Sequence, residues 1–326
     1  MEMNSATEEV TDIRKYDQQS KASLFSAKSL RFAIFSTAIY FVLSYFLIGF
    51  KADQVVLAGL FNSLYFASHT TRRFILAFSI FIVYWIVFDY MKAFPNFRYN
   101  DVHVQDLYQL EKGFFGFGWN QQRITPNEFF AAHANTFLDI AAGLFYLCWI
   151  PVPLAFAAVM FFKNRNLFFQ FSLTFFLVNI IGFIGYYLYP AAPPWYVAQY
   201  GFHFISSTPG NTAGLGRFDA LFNAKIFASI YSKSSNVFAA MPSLHAAYMM
   251  IVTFFAMKAK MKSWIGVFAF IMLGIWFAAI YSGHHYVLDV LAGICCAIIG
   301  IALFRRWAKS NGGKKILQRL VAATSK

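Results

Sequence analysis

Apolar runs of about twenty residues recur along this chain, and they leave few folds open to it. A helix needs about 20 apolar residues to cross the hydrocarbon core of a bilayer. The main runs are 32–50, 74–91, 137–161, 167–189, 240–257, 264–281 and 286–304. Hydrophobic residues make up 59% of the chain, whereas soluble domains have about 45–50%. The sequence therefore predicts an all-α, polytopic bundle of membrane helices.

The turn between the last two apolar runs has a pattern typical of catalysis. In Tyr281-Ser-Gly-His-His-Tyr-Val-Leu-Asp289, His285 and Asp289 are four residues apart. If a helix starts near His285, both side chains lie on one side of it. The carboxylate can then accept a hydrogen from one imidazole nitrogen and leave the other nitrogen as a nucleophile or base. An interfacial histidine beside a helix-capping aspartate is the plainer alternative.

A second motif, Met241-Pro-Ser-Leu-His245, stands at the mouth of an earlier apolar run. Pro242 suits the first turn of a helix, where its missing N–H costs nothing. The free N–H groups and partial positive charge of such a turn bind phosphate readily. Ser243 and His245 are therefore expected beside an anion site. Two histidines, an aspartate and a helix N-terminus suit phosphoryl transfer without a metal.

The basic residues predict which way the motifs face. Counting crossings places both motifs at one membrane face and most basic loops at the other. The opposite face receives Arg72, Arg73, Lys163, Arg165, Lys258, Lys260, Lys262 and the basic tail. Short loops rich in Lys and Arg stay in the cytoplasm, so the histidines are predicted to face away from it. The net charge of +13 is interpreted as contact with anionic lipid, not with nucleic acid.

Local patterns predict where helices begin and bend. Thr125-Pro-Asn-Glu128 is a capping box with Pro at the first helical position, and it predicts a helix leading into 137–161. Pro151 and Pro153 are expected to kink that run. The apolar spacing in the basic tail predicts a helix on the membrane surface.

Taken in order, these motifs resemble a known family. Pro-Ser-Leu-His (242–245) and Gly-His-His-Tyr-Val-Leu-Asp (283–289) resemble the second and third motifs of the type 2 phosphatidic acid phosphatase superfamily. The chain is more similar still to the fungal inositol phosphorylceramide synthases. The segments that carry this likeness are Tyr189-Pro-Ala-Ala-Pro-Pro-Trp-Tyr196, Ala213-Gly-Leu-Gly-Arg-Phe-Asp219, Ala240–His245, His284–Asp289, Pro126-Asn-Glu-Phe-Phe130 and Leu138-Asp139. The resemblance implies a six-helix catalytic core.

The apolar runs and the resemblance divide the chain into four regions. They are a polar N-terminal tail (1–30), one or more N-terminal membrane segments (31–73), a catalytic six-helix core (74–304) with outer loops 92–136 and 190–239, and a basic cytoplasmic tail (305–326). The stretch 54–68 is short for a span and could be re-entrant or interfacial. If it crosses, the chain has eight crossings and its N-terminus lies in the cytoplasm.

Two cations of the wider superfamily are missing from this chain. Its first motif has an Arg-Pro pair where this chain has Tyr189-Pro190, and its third motif has Ser-Arg where this chain has Ala278-Ala279. The interpretation of the chain as a generic phosphatase is thereby weakened. Some positive group must still offset the phosphate charge. Arg217 is the first candidate for this group, and Lys233 is the second. A loop ion pair with Asp219 is the alternative for Arg217.

The resemblance implies transfer of phosphoinositol from phosphatidylinositol to ceramide, giving inositol phosphorylceramide and diacylglycerol. His285 would form a phosphohistidine, Asp289 would fix its tautomer, and His245 would act as general acid and then base. Ser243 would hold phosphate oxygens. Further substrate-contact candidates, each with a packing or interfacial alternative, are His284, Trp195 and Tyr196. No cofactor or metal is expected, since no aspartates are spaced to hold magnesium.

Rival activities stay open at this point. A lipid phosphate phosphatase would use water as the acceptor, and a ceramide transferase could instead take phosphoethanolamine or phosphocholine. A non-catalytic lipid-binding protein is disfavoured by the two histidines and the aspartate. The expected partners are a phospholipid donor, a ceramide acceptor and the bilayer. The expected location is a bacterial inner membrane with the site on the periplasmic side, or a Golgi membrane with the site in the lumen.

Overall fold

The computed structural model of the protein describes residues 24–233 and 236–325. Over these residues the fold is helical apart from a two-stranded hairpin. The chain divides into two compact units, one of residues up to 83 with 322–326 and one of residues 84–321. The predicted all-α fold is confirmed.

The helices are numbered in chain order. The first seven are α1 (Ala27–Ile48), α2 (Ala52–Ala67), α3 (His69–Tyr90), α4 (Gln105–Phe115), α5 (Pro126–Ala132), α6 (Thr136–Leu147) and α7 (Pro151–Lys163). The next eight are α8 (Arg165–Leu188), α9 (Pro194–Tyr200), α10 (Gly216–Leu221), α11 (Ile226–Tyr231), α12 (Leu244–Lys258), α13 (Ser263–Tyr281), α14 (Val287–Lys309) and α15 (Asn311–Ser325). The hairpin strands are β1 (Phe117–Trp119) and β2 (Gln122–Ile124).

Six helical stretches among the described residues are long and apolar enough to cross a bilayer. They are Ala27–Ile48, His69–Ala93, Thr136–Lys163, Arg165–Leu188, Ser263–Tyr281 and Val287–Lys309. The helix α12 is a further, shorter apolar helix at the predicted run 240–257. By contrast, α2 has 16 residues, which rise about 24 Å against a hydrocarbon core of about 30 Å. The predicted runs are therefore helices, and a crossing at 54–68 stays a prediction.

In the first unit, α1 starts within the stretch assigned to the polar tail. The Ser26 side chain accepts the backbone N–H of Ser29, and α1 follows from Ala27. A serine at this position satisfies one of the N–H groups that a helix start leaves without a partner. The rest of the predicted tail, before residue 24, lies outside the described residues.

In the second unit, α12 is the central helix. It packs against α8, α13 and α14, and most of its side chains are buried. Around this centre, α6 packs on α13, and α7 packs on α8. Because α12 begins at the second motif and α14 begins after the third, their packing brings the two motifs together.

The prolines of the run 137–161 interrupt its helix as predicted. The helix α6 ends at Leu147 and α7 begins at Pro151, where proline stands in the first turn. Proline lacks the N–H that would continue the hydrogen-bond ladder of the preceding helix. The helix is therefore broken where the prolines predicted a kink.

The outer loops contain more regular structure than the sequence analysis predicted. The loop 92–136 holds α4, the hairpin and α5, and the loop 190–239 holds α9, α10 and α11. The capping box is confirmed at α5, since the Thr125 side chain accepts the N–H of Glu128 and the Glu128 carboxylate accepts the N–H of Thr125. These short helices position side chains over the ends of the membrane helices.

The basic tail is helical, as predicted. The helix α14 continues into it as far as Lys309, and α15 follows. One face of α15 exposes basic side chains, while Leu317 is buried. A position on the membrane surface stays a prediction.

Gly293 of α14 allows a close approach between the two motif helices. A Cβ at this position would lie 2.0 Å from the backbone oxygen of Ser243, at the start of α12. Overpacking typically costs about 1–3 kcal/mol, and backbone cannot rotate away as a side chain can. We expect Gly293→Ala to lower the melting temperature in detergent and to reduce activity. Gly266→Ala on α13, where no atom lies within 4 Å, is the matched control, and equal melting of the two variants would contradict the prediction.

Candidate active site

The two motif histidines lie in direct contact. The Nδ1 atom of His245 is 3.1 Å from the Nε2 atom of His285, and the ring centroids are 5.2 Å apart. The motifs are also joined through their backbones, because the N–H of Ser243 donates to the carbonyl of Asp289 at 2.8 Å. One phosphate group can therefore be reached from both rings.

The surroundings of His285 assign its tautomer. Its Nδ1 atom lies 2.9 Å from the carbonyl oxygen of Ala240. A carbonyl only accepts hydrogen bonds, so Nδ1 carries the proton and Nε2 carries the lone pair. The proton in the contact between the histidines is therefore on Nδ1 of His245. In this arrangement the nucleophilic nitrogen of His285 is the one that faces His245.

Asp289 supports this arrangement less directly than the sequence suggested. Its Oδ2 atom is 3.6 Å from Nδ1 of His285 and accepts the backbone N–H of Tyr286 at 2.8 Å. The helix α14 begins at Val287, two residues after His285, with Tyr286 as its N-cap. At 3.6 Å the carboxylate is beyond ordinary hydrogen-bond distance from the ring.

The second motif starts its helix later than predicted. Ser243 is the N-cap of α12, which begins at Leu244, so Pro242 precedes the helix and does not occupy its first turn. The Ser243 side chain makes no capping bond, and its Oγ atom is buried without a hydrogen-bond partner among the described residues. A buried hydroxyl without a partner costs free energy. This hydroxyl is available to a phosphate oxygen at the start of α12.

A tight turn brings the third motif back towards α12. Gly283 has φ of 76°, a backbone region that glycine adopts at little cost. The N–H groups of His284 and His285 both donate to the carbonyl of Ala279. The Asn127 side chain donates to the carbonyl oxygens of Ile280 and His285. These bonds explain why His285 is held firmly although it lies outside a helix.

His284 is a packed residue that does not line the interface. Its Nε2 atom donates to the carbonyl of Thr212 at 3.0 Å, and its ring stacks on Tyr231 at 4.3 Å between centroids. Tyr146 lies on the ring at 5.7 Å. Burial lowers the pKa of His284 to about 3, so the ring is neutral. Its role as an inositol contact stays a prediction. Its observed hydrogen bond connects Thr212 to the turn of the third motif.

Arg217 has a different ionic partner from the one considered in the sequence analysis. Its Nε atom donates to Asp139 at 2.6 Å, and the hydroxyl of Tyr281 donates to the same carboxylate oxygen at 2.8 Å. Asp219 instead accepts backbone N–H groups at the start of α11. The Nη2 atom of Arg217 is buried without a partner among the described residues, and the guanidinium carbon lies 5.4 Å from the ring centroid of Tyr281. The guanidinium therefore stands next to the motif turn.

The remaining substrate candidates are placed differently from one another. Trp195 is buried, and its backbone N–H donates to the carbonyl of Gly283. Tyr196 is fully buried, and its hydroxyl bonds to the backbone of 203–205. Lys233 is exposed two residues after Tyr231, next to the undescribed residues 234–235. Headgroup contacts by these three residues stay predictions.

Three side chains around the histidines were not predicted from the sequence. Trp149 packs edge-on against His245 at 4.4 Å between centroids, and Tyr146 packs on the same ring at 5.0 Å. Glu111 of α4 reaches the start of α14, and burial raises its pKa to about 7. All three lie far from the motifs in sequence, so no local pattern marks them. In residues 24–233 and 236–325, no group of three or more His, Cys, Asp or Glu is arranged to hold a metal.

Comparison with known proteins shows the family to which the chain belongs. The family model of the PAP2 superfamily matches residues 105–303, more than half of the chain. This protein therefore belongs to the PAP2 superfamily, the type 2 phosphatidic acid phosphatases named in the sequence analysis. The six apolar helices and this membership make it an integral membrane protein.

Individual relatives share much of the chain. It is 46% identical to the phosphoinositol dihydroceramide synthase of Bacteroides thetaiotaomicron over 281 residues, which are 86% of this chain and 92% of that protein. It is 28% identical to the inositol phosphorylceramide synthase catalytic subunit of Saccharomyces cerevisiae, over 71% of this chain and 60% of that protein. The Schizosaccharomyces pombe counterpart is 27% identical over 68% of this chain and 51% of its own length. No solved structure matches the chain.

Proposed function

We propose that this protein transfers phosphoinositol from phosphatidylinositol to a ceramide, yielding inositol phosphorylceramide and diacylglycerol. The observation that carries the proposal is the contact between His245 and His285 at 3.1 Å. The names of the relatives support the headgroup and the acceptor class, and the bacterial relative supports dihydroceramide as one acceptor. The missing superfamily cations at Tyr189 and at Ala278-Ala279 favour a transferase over a generic phosphatase.

The first step forms a bond between nitrogen and phosphorus. The lone pair on Nε2 of His285 attacks phosphorus, and the bond between phosphorus and the glycerol oxygen breaks. In its imidazolium form His245 gives that oxygen a proton and becomes neutral, and diacylglycerol leaves. The negative charge of Asp289 stabilises the cationic phosphohistidine, and the Ala240 carbonyl retains the proton on Nδ1.

The second step returns the enzyme to its starting state. His245 takes the proton from the primary hydroxyl of the ceramide, and the hydroxyl oxygen attacks phosphorus. The bond between phosphorus and Nε2 of His285 breaks, so the headgroup passes to the ceramide. His245 can serve as the acid in the first step and as the base in the second, because the leaving group and the attacking group are both alcohols.

The phosphate charge is offset at the start of α12. The Ser243 hydroxyl and the N–H groups of the first turn are directed to phosphate oxygens, as at other helix N-termini. Arg217 adds a cation beside the motif turn through its buried Nη2 atom. The Asp139 carboxylate accepts a hydrogen bond from Nε of that guanidinium and so orients it.

Mass spectrometry of lipids made by the purified protein in proteoliposomes tests this function. With phosphatidylinositol and ceramide or dihydroceramide, we expect inositol phosphorylceramide and diacylglycerol in equal amounts. Release of inorganic phosphate from phosphatidic acid, without a ceramide product, would favour the phosphatase. Ceramide products formed only from phosphatidylethanolamine or phosphatidylcholine would change the donor.

The membrane side of the site follows from the basic residues at the other end of the core. The chain passes from α7 to α8 and from α12 to α13 at that end, where Lys163, Arg165 and Lys258 lie. The histidines then face the periplasm of a bacterium or the Golgi lumen. In right-side-out vesicles of a cysteine-free background, we expect an impermeant maleimide to label Gly118→Cys on the hairpin. Lys309→Cys should react only after permeabilisation, and the reverse pattern would contradict this orientation.

A further inference from the structure

Glu111 is a buried acid that the proposed reaction does not use. It lies on α4, in the outer loop 92–136, and its side chain is 0% exposed. Its Oε1 atom accepts the N–H of Val287 at 3.0 Å, and its Oε2 atom accepts the N–H of Leu288 at 3.1 Å. These two residues stand between His285 and Asp289, so Glu111 is bonded to the backbone of the third motif.

These two hydrogen bonds satisfy N–H groups at the start of α14. The first N–H groups of a helix have no partner within it, and the partial positive charge there attracts anions. A carboxylate of the same segment usually satisfies them, as Asp289 does for the N–H of Tyr286. At α14 the next two N–H groups are satisfied from a separate helix. A carboxylate from elsewhere in the chain thus occupies a site that a phosphate would otherwise fit.

The contrast with α12 is informative, because both helices begin at the histidine pair. The N-terminus of α14 is filled by carboxylate oxygens of Glu111 and Asp289. The N-terminus of α12 has no acidic side chain in its first turn, and the Ser243 hydroxyl beside it has no partner among the described residues. A lipid phosphate is repelled from the first terminus and attracted to the second.

The helix α4 is also packed against the parts that hold His285. Leu107, one turn before Glu111, belongs to the same buried cluster as Ala240 and Tyr286. Ala240 supplies the carbonyl that fixes the His285 tautomer. Glu111 and Leu107 lie four residues apart on one face of α4. The outer helix is therefore bonded to the motif through Glu111 and packed on it through Leu107.

We propose that Glu111 is a positioning residue, whose carboxyl oxygens hold the start of α14 in register with His285 and leave the N-terminus of α12 as the site for the lipid phosphate. This inference rests on the proposed function for its reaction, although the carboxylate contacts stand without it. Glu111 acts through the backbone of the third motif and touches no reacting atom. Its loss should reduce kcat, because a misplacement of about 1 Å can cost about 10²-fold.

Chemical rescue by a small carboxylate tests the proposal. Glu111→Ala leaves a cavity at the start of α14 that formate can enter. We expect its kcat to fall about 10²-fold with little change in KM, and added sodium formate to restore part of the loss. Glu111→Leu fills the cavity, so formate should not rescue it. Gln109→Ala, an exposed change on the same helix, is the matched control and should match the wild type.

Thermal unfolding in detergent supplies a readout that needs no turnover. Formate should raise the melting temperature of Glu111→Ala and leave that of the wild type and Glu111→Leu unchanged. Glu111→Gln keeps the shape and accepts only one of the two N–H groups, so it should fold and show an intermediate kcat. Full activity of folded Glu111→Gln, or no effect of formate on Glu111→Ala, would overturn the inference. Absence of wild-type transfer alongside formate-dependent stabilisation would instead reject the proposed reaction.

Discussion

Replacing His285 with alanine is expected to abolish headgroup transfer, reducing kcat by more than about 10⁴-fold. The variant loses the lone pair on Nε2 of His285, which the structure places against His245. Without this nucleophile no phosphohistidine forms. General acid catalysis by His245 and phosphate binding at α12 cannot replace it. The measurement is inositol phosphorylceramide formation in proteoliposomes, by mass spectrometry.

The covalent intermediate gives a second measurement for His285. Incubation with phosphatidylinositol but no ceramide should leave phosphoinositol bound to the wild-type protein, with diacylglycerol released in equal amount. A bond between phosphorus and a histidine nitrogen is acid-labile, so the sample is denatured at alkaline pH before peptide mass spectrometry. His203→Ala, at an exposed loop histidine, should label as the wild type does. Substantial transfer by His285→Ala, or label on another residue, would reassign the nucleophile.

Much of this fold could be predicted because its signals are local. A run of apolar residues defines a membrane helix by its own length and composition. The capping box at Thr125 and the break at Pro151 depend on contacts within four residues, and the structure confirms both. The two histidine motifs could likewise be predicted from the sequence, because each histidine belongs to a short local pattern.

The details of the site depend on contacts between distant residues, which no local pattern shows. The acceptor for His285 is the carbonyl of Ala240, 45 residues away. Arg217 pairs with Asp139, 78 residues away, where proximity in sequence pointed to Asp219. Glu111 is 176 residues from Val287. The function of such a backbone carbonyl or carboxylate cannot be predicted from its neighbours in the sequence, because it depends on which distant residues the fold brings next to it.

The contact between the two histidines also constrains how the substrate enters. In-line displacement places the attacking and leaving atoms on opposite sides of phosphorus. A phosphorus atom does not fit between two nitrogens 3.1 Å apart, so one ring has to turn aside. His285 is held through its ring by Ala240 and through its backbone by Ala279. We therefore expect His245, which packs between the aromatic rings of Tyr146 and Trp149, to be the ring that turns aside.

Replacing His245 with alanine is expected to reduce transfer by about 10²–10⁴-fold, the usual contribution of a general acid or base. The loss should depend on the leaving group, because the proton from His245 is needed only where the departing oxygen is a strong base. A nitrophenyl ester of phosphoinositol releases nitrophenolate, which is stable without a proton. With this donor, the first step of His245→Ala should recover most of its rate, measured as a burst of nitrophenolate.

The same donor separates the two histidines. His285→Ala should give no burst, because its nucleophile is absent whichever group leaves. In His245→Ala the burst should be followed by slow turnover, since deprotonation of the ceramide hydroxyl still lacks its base, and phosphoinositol should accumulate on His285. If the nitrophenyl ester rescued His285→Ala and not His245→Ala, the two roles would be exchanged. If it rescued neither variant, His245 would be needed to hold the phosphate and not to protonate the leaving oxygen.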